Sequence, residues 1–211
     1  MSRIPVAREG LPFLLLCLAA AAAAAYVVPV GCLPFLAAAA AVAFFFRDPE
    51  REPPSSQGAV VSPADGRVRE IALARGEGET HRISIYLSLL DVHVNRFPVS
   101  GRVREVRYSP GRFLPAFLAR AGRQNESNLV TVDSGGAPVG VRQIAGVLAR
   151  RIVCYCRPGQ PARRGERLGL IRFGSCVELT LPWRARVLVE KGQRVRAGET
   201  VVAILPVEAR E

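Results

Sequence analysis

From Leu11 to Phe46 the chain runs for 36 residues without a charged side chain. As one continuous helix this run would be about 54 Å long at ~1.5 Å per residue. That is too long for a single crossing of a hydrocarbon core roughly 30 Å thick. Pro29-Val30-Gly31 stands near its centre, and proline lacks the amide N–H that a helix interior needs. The pattern predicts a helical hairpin over Leu11–Val28 and Cys32–Phe46, transmembrane or re-entrant, since each half is short for a span. Arg3 and Arg8 precede the run and Arg47 and Arg51 follow it. Under the positive-inside rule both ends then face the cytoplasm, which two crossings permit and one does not. The anchor therefore belongs in the cell (inner) membrane, with the rest of the chain on the cytoplasmic side. A cleaved signal peptide is the competing reading, with the Ala19–Ala25 run near its cleavage site, but the apolar stretch continues well past that run.

This gives three parts: an anchoring hairpin over 1–46, a charged, proline-rich linker over 47–58, and a soluble domain over 59–211. The domain is large enough for one core. Short apolar or alternating runs separated by Gly, Pro, Asn and Asp predict strands at Ala59–Val61, Arg67–Ile71, Arg82–Leu87, Arg102–Tyr108, Leu129–Val132, Val139–Ala145, Arg150–Tyr155, Arg167–Arg172, Cys176–Leu181, Ala185–Val189 and Thr200–Leu205. Phe113–Ala121, after Pro110-Gly111, is the candidate soluble helix. The fold class is mainly β (α+β), a sandwich or barrel. Within it, the pattern G-Q-x-x-R-x-G-E followed by alternating apolar residues occurs at Gly159–Ile171 and again at Gly192–Ile204, 33 positions later. Two copies of one turn–strand unit point to pseudo-symmetry, and such turns resemble those of lipoyl- and biotinyl-carrier barrels. The only lysine, Lys191, directly precedes the second turn, so a lipoyl attachment site at a hairpin tip is not expected.

The net charge of +11 rests almost entirely on arginine. On an anchored protein it suits an anionic membrane surface. The arginines are scattered and lack interleaved aromatics, so nucleic acid is not expected as a partner. Cys17 and Cys32 fall in the apolar run, and Cys154 and Cys156 share one side of a strand. No second Cys or His pair stands at metal-binding spacing, so no metal is expected and the thiols are read as reduced.

Phe173-Gly174-Ser175-Cys176 interrupts two apolar runs. A Gly-Ser step is common in turns, and glycine inside a strand marks a bend or a close approach. It is also a bond that can process itself. Ser175 Oγ can attack the Gly174 carbonyl, and β-elimination from the resulting ester leaves a pyruvoyl group on residue 175. His93, in Asp91-Val92-His93-Val94-Asn95-Arg96, is suited by its pKa to proton transfer at neutral pH, and alone reads equally as a hydrogen-bonded structural histidine. His81 reads as an exposed hairpin-tip residue. Asp65, in Ser62-Pro63-Ala64-Asp65-Gly66, reads as a β-turn aspartate or as the group that orients His93. Asn125-Glu126-Ser127-Asn128 reads as a loop-capping or binding segment.

Together these motifs resemble the phosphatidylserine decarboxylase family in its short bacterial and archaeal form. The resemblance rests on the hairpin, Phe45–Arg51, Ser62–Gly66, Asp91–Arg96, Gln143-Ile144-Ala145-Gly146 and Phe173-Gly174-Ser175, in that order. It implies cleavage between Gly174 and Ser175, into chains 1–174 and 175–211 that stay together as a heterodimer, with further dimerisation open. It implies that Ser175 becomes a covalent pyruvoyl cofactor, with His93 and Asp65 assisting. It implies decarboxylation of phosphatidylserine to phosphatidylethanolamine through a Schiff base on that pyruvoyl group. Longer members carry a second histidine where this chain has Arg96, so both histidine roles fall on His93 here. Cys176 also departs from the usual residue. Two rivals stay open: a decarboxylase of another serine-headed lipid such as an archaetidylserine, and a non-enzymatic membrane-anchored lipoyl-like carrier or adaptor.

Overall fold

A computed structural model describes residues 5–114, 124–146, 151–172 and 175–206. The chain divides after Glu50 into two compact units. In the first, α1 (Leu11–Val27) packs against α2 (Leu33–Phe45) as a hairpin. Val28 leaves α1 in an extended conformation, φ −141° and ψ 113°, the region favoured for a residue before proline. A 3-10 turn at Pro29–Cys32 then reverses the chain. The two ends are tied together: the Ala7 N–H donates to the Phe46 carbonyl (2.7 Å) and the Asp48 N–H to the Pro5 carbonyl (2.8 Å). Both helices are apolar on every side, so large side chains such as Leu16 and Tyr26 remain exposed, as in a helix made for a non-aqueous surround. Among the described residues, Arg8–Val27 is the one helical stretch long and apolar enough to cross a membrane; Pro29–Phe45 is shorter.

The second unit is mainly β, as expected. Its strands are β1 (Ala59–Val61), β2 (Gly66–Ala72), β3 (Thr80–Leu87), β4 (Val94–Arg96), β5 (Gly101–Ser109), β6 (Ser127–Ser134), β7 (Ala137–Ile144), β8 (Ile152–Cys154), β9 (Pro161–Ala162), β10 (Arg167–Ile171), β11 (Ser175–Pro182), β12 (Arg186–Val187), β13 (Arg194–Val195) and β14 (Val201–Ile204). An eight-stranded antiparallel sheet runs β13-β2-β3-β11-β7-β6-β5-β9, beside three-stranded sheets β4-β10-β8 and β1-β14-β12. One side of the long strands is apolar, for example Ile83, Ile85 and Leu87 on β3 and Val177, Leu179 and Leu181 on β11, all fully buried in one core. The sequence reading missed the two- and three-residue strands β4, β9 and β13. The expected helix over Phe113–Ala121 lies, beyond Leu114, outside the described residues. His81 is a correction: it sits inside β3 and is buried. Its Nδ1 accepts the Ala74 N–H (3.0 Å) and its Nε2–H donates to the Trp183 carbonyl (2.8 Å), because β3 begins at Thr80, ahead of the expected Arg82.

The strand orders reveal a pseudo-twofold relation wider than the turn repeat. β1–β3 with β11–β14 form one half, and β4–β10 form the other. Gly66-Arg67-Val68-Arg69-Glu70 on β2 recurs as Gly101-Arg102-Val103-Arg104-Glu105 on β5, and both strands shift register at the same place, between Val68 and Glu70 and between Val103 and Glu105. The repeated turns close on them identically. The Val68 N–H donates to the Gln193 carbonyl and the Gly192 N–H to the Val68 carbonyl, while Val103 exchanges the same bonds with Gln160 and Gly159. All four turn glycines, Gly159, Gly165, Gly192 and Gly198, have φ between 77° and 90°, a region costly for other residues. Residues 51–58 are held against this unit. Arg164 donates to the carbonyls of Pro54, Ser56 and Ala59, and the largely buried Arg51 pairs with Asp65 (3.0 Å) and Glu199 (2.9 Å).

Candidate active site

The two halves interleave in sequence, so the chain crosses between them twice: after β3 into β4, and after β10 into β11. Ser175 is the register partner of Leu87, and the Ile171 N–H donates to the His93 carbonyl (3.3 Å). The β3–β4 crossover that carries His93 is thus tied at one end to Ser175 through Leu87 and at the other to the end of β10 through Ile171. Gly174 lies outside the described residues; Ser175 opens β11, is fully buried, and its Oγ has no hydrogen-bond partner among the described residues. A buried hydroxyl left in that state costs about 1–3 kcal/mol, so it calls for a functional account.

His93 is also fully buried, and its Nδ1–H donates to the Asp91 carbonyl at 2.9 Å. A carbonyl only accepts, so Nδ1 carries the proton and Nε2 is the basic nitrogen. Asp91, which sequence reasoning did not single out, builds the loop that presents this carbonyl. Its Oδ2 accepts from the Ser88 N–H (2.8 Å) and hydroxyl (2.7 Å), and its Oδ1 from Arg194 (3.0 Å). Burial works to raise the Asp91 carboxyl, but the Ser88 bonds and the Arg194 charge outweigh it and hold it below the ordinary value. The available signal was the Ser-x-x-Asp spacing, which favours such a local side-chain turn.

The turn that bears Asp65 is tied to β4, where the Arg96 N–H donates to the Pro63 carbonyl (2.9 Å). Its Oδ2 pairs with Arg51, and its Oδ1 accepts the Ala197 N–H at 2.7 Å. In the other half the Ser100 hydroxyl occupies the equivalent place and accepts the Arg164 N–H (3.0 Å). Capping the repeated turn is thus common to both halves, whereas the charge is particular to Asp65. Arg96 is buried, with its guanidinium donating to the Gly165 carbonyl (2.8 Å).

The polar segment after β5 divides in two. Asn125 clamps a loop, exchanging bonds with the Leu114 backbone and donating to the Ala145 carbonyl. Asn128 joins a buried amide chain: its Nδ2–H donates to Gln143 Oε1 (3.1 Å), and Gln143 Nε2–H donates to Asn95 Oδ1 (2.9 Å). The Cys154 and Cys156 sulfurs are 3.3 Å apart, on one side as expected; the thiol hydrogen bond between them draws the Cys154 pKa down and pushes that of Cys156 up. Burial pushes the Cys176 thiol up to about 12. Among the described residues no three His, Cys, Asp or Glu side chains gather in a metal-holding group. A cleft of about 440 Å³, lined by Arg67, Val68, Arg69, Tyr86, Lys191 and Gly192, opens at the outer face of β2 and β3. Tyr86 alternates there with the inward-facing Leu87 that pairs with Ser175.

The sequence pattern of the phosphatidylserine decarboxylase family matches residues 38–203. A phosphatidylserine decarboxylase proenzyme from Geobacter sulfurreducens is 47% identical, over 96% of this chain and 97% of its own length. Proteins of the same description from Azorhizobium caulinodans (44% identical, 96% of this chain, 90% of the relative) and Burkholderia mallei (43% identical, 95% of each) are similar along nearly the same span.

Proposed function

The chain belongs to the phosphatidylserine decarboxylase family, and on that premise we propose that it converts phosphatidylserine to phosphatidylethanolamine with a pyruvoyl group made from its own Ser175. The observation that carries this reading is the buried, unpartnered Ser175 Oγ at the start of β11, beside the crossover that bears His93. In processing, His93 Nε2 takes the hydroxyl proton as Oγ bonds to the Gly174 carbonyl carbon. The Gly174–Ser175 C–N bond then breaks, and the freed nitrogen takes a proton. Loss of the Cα proton of residue 175 expels the Gly174 carboxylate, and water converts the resulting enamine to a ketone with release of ammonia. The residues present fit this chemistry: the nucleophile is already desolvated, and the base has its tautomer set by Asp91.

The pyruvoyl group, once present, supplies an electron sink for loss of CO2 from the serine headgroup. His93 Nε2 then returns a proton to the headgroup Cα, and the burial of His93 and Ser175 keeps bulk water from competing for it. Asp65, from its turn beside β4, stabilises the positive charge that His93 gains. After cleavage β11 remains paired with both β3 and β7, so chains 1–174 and 175–211 hold together as a heterodimer. The repeated turn–strand units make this a lipoyl-like pseudo-symmetric scaffold that carries a different prosthetic group. The apolar hairpin lies in the inner membrane with both ends cytoplasmic, consistent with their backbone ties, and the Arg67–Lys191 cleft meets anionic headgroups at that surface.

Intact-mass measurement tests the core of this reading. Purified protein is expected as two chains, 1–174 and a 175–211 piece with a ketone at its N-terminus, while Ser175→Ala stays whole and inactive. His93→Ala should block or greatly slow cleavage, and Asp65→Asn should slow it with the fold intact. An active, uncut chain with a free Ser175 would refute the mechanism.

A further inference from the structure

Cys154 closes β8 and Cys156 follows two residues later, so both side chains leave the chain on one side. Tyr155, between them, is exposed. The two sulfurs are 3.3 Å apart, and a disulfide bond would draw them to about 2.05 Å. Their surroundings differ. Cys156 is buried, whereas Cys154 is only partly covered and is the sulfur that a small solute meets first. The hydrogen bond with the Cys156 thiol draws the Cys154 pKa down to about 6 against the effect of burial, with smaller help from the Cys156 backbone and the Asn128 side chain. The same bond and burial push Cys156 up. Cys154 is therefore mostly thiolate at neutral pH, the form that reacts. Among the described residues no further Cys, His, Asp or Glu joins the pair in a metal-holding group, and a structural zinc takes about four ligands. Gly169 on β10 is the register partner of both Cys154 and Asn95, so only β10 separates the pair from β4. The self-processing chemistry uses neither sulfur.

We propose that Cys154 and Cys156 form a reversible, peroxide-sensitive redox site, with Cys154 as the attacking sulfur and Cys156 as the resolving one. The Cys154 thiolate attacks one oxygen of a hydroperoxide such as hydrogen peroxide. An S–O bond forms, the O–O bond breaks, and the departing hydroxide takes a proton to become water. Cys156 then gives up its proton and attacks the Cys154 sulfur, so that the S–S bond forms and the sulfenic oxygen leaves as a second water. The two thiols together lose two electrons, and the peroxide gains them. The loop closed by this bond has a single residue between the cysteines, so closure adds little chain entropy to stability. The disulfide stays open to thiol exchange, and a dithiol reductant returns both thiols while itself becoming a disulfide.

The test uses full-length protein in detergent, reduced, freed of reductant and treated with hydrogen peroxide at neutral pH. It is then unfolded and labelled with N-ethylmaleimide, and the peptide carrying both cysteines is weighed. In the wild type that peptide is expected without label and lighter by two hydrogens than its reduced form, and dithiothreitol should restore both labelling sites. Cys156→Ser should stop at a sulfenic acid on Cys154 that dimedone captures. Cys154→Ser should react with peroxide at least about tenfold more slowly than Cys156→Ser, because it lacks the sulfur that is ionised at neutral pH. Melting temperatures report folding of the two variants, and the wild-type peptide mass decides the matter if either fails to fold. Two free thiols in the treated wild type would overturn the site. So would dimedone capture on Cys156 in Cys154→Ser with none on Cys154 in Cys156→Ser, which would reverse the roles. A metal ion that shields both sulfurs until a chelator removes it would also overturn the proposal, by making the pair a ligand set. None of these outcomes depends on whether the chain cleaves itself.

Discussion

Asp91 acts at two places at once: its carboxylate closes the loop after β3, and its carbonyl takes the hydrogen bond from His93 Nδ1. Asp91→Asn should therefore loosen both the loop and the imidazole, at a cost of about 1–3 kcal/mol for a charged acceptor with two donors. The exposed Arg194 adds little to that figure. The folded carboxyl lies below its ordinary 3.8. Its contribution is complete above the unfolded value and is lost as pH falls through the lower folded value. Thermal unfolding of Ser175→Ala with and without Asp91→Asn, followed downward from neutral pH, should show a stability gap that closes in acid. A gap independent of pH would mean that the Asp91 charge does not hold the loop.

Among the elements, the repeated strand-plus-turn units carry the most sequence information and the tightest constraints. Gly66 opens β2 at φ 146°, and a β-carbon there would lie 2.1 Å from the Tyr86 carbonyl oxygen. Gly159 has φ 84° but open space around it. Gly66→Ala should thus cost upward of ~3 kcal/mol, because backbone must move to relieve a steric overlap. Gly159→Ala should cost only the ~1–2 kcal/mol of a left-handed alanine. Urea unfolding of both variants checks the ordering; equal losses would show that β2 can shift away from β3 without penalty. Since Tyr86 neighbours Leu87, the partner of Ser175, such a shift in Gly66→Ala should also retard self-cleavage.

At the scale of the whole molecule, the division after Glu50 marks where the apolar hairpin can be removed. A chain starting at Arg51 keeps the ion pairs to Asp65 and Glu199 and all of the crossover residues. It is expected to be soluble and to self-cleave, with its two pieces co-purifying until denatured because β11 lies between β3 and β7. Its activity on phosphatidylserine in bilayers should fall far more than its activity on a short-chain, water-soluble analogue. Equal losses on both substrates would assign the hairpin a part in building the site and not only in attaching it to the membrane.

Local sequence alone determined the apolar hairpin, the mainly β character of the second unit, the two G-Q-x-x-R-x-G-E turns and the Gly174-Ser175 step. Each depends on residues within a few positions of one another: the absence of charge, the alternation of apolar side chains, proline's missing N–H, glycine's access to positive φ. The identical pentapeptides at Gly66 and Gly101 were equally legible, and they were the missed clue to the interleaved halves. Only the tertiary structure decided that His81 is buried, that β4, β9 and β13 exist, and that the Asp91 carbonyl sets the His93 tautomer. It also decided that Asn95, Gln143 and Asn128 join in one buried amide chain. Alternation tells which face of a strand is buried, but the partner of a buried polar atom comes from another strand, and that depends on how the two halves cross.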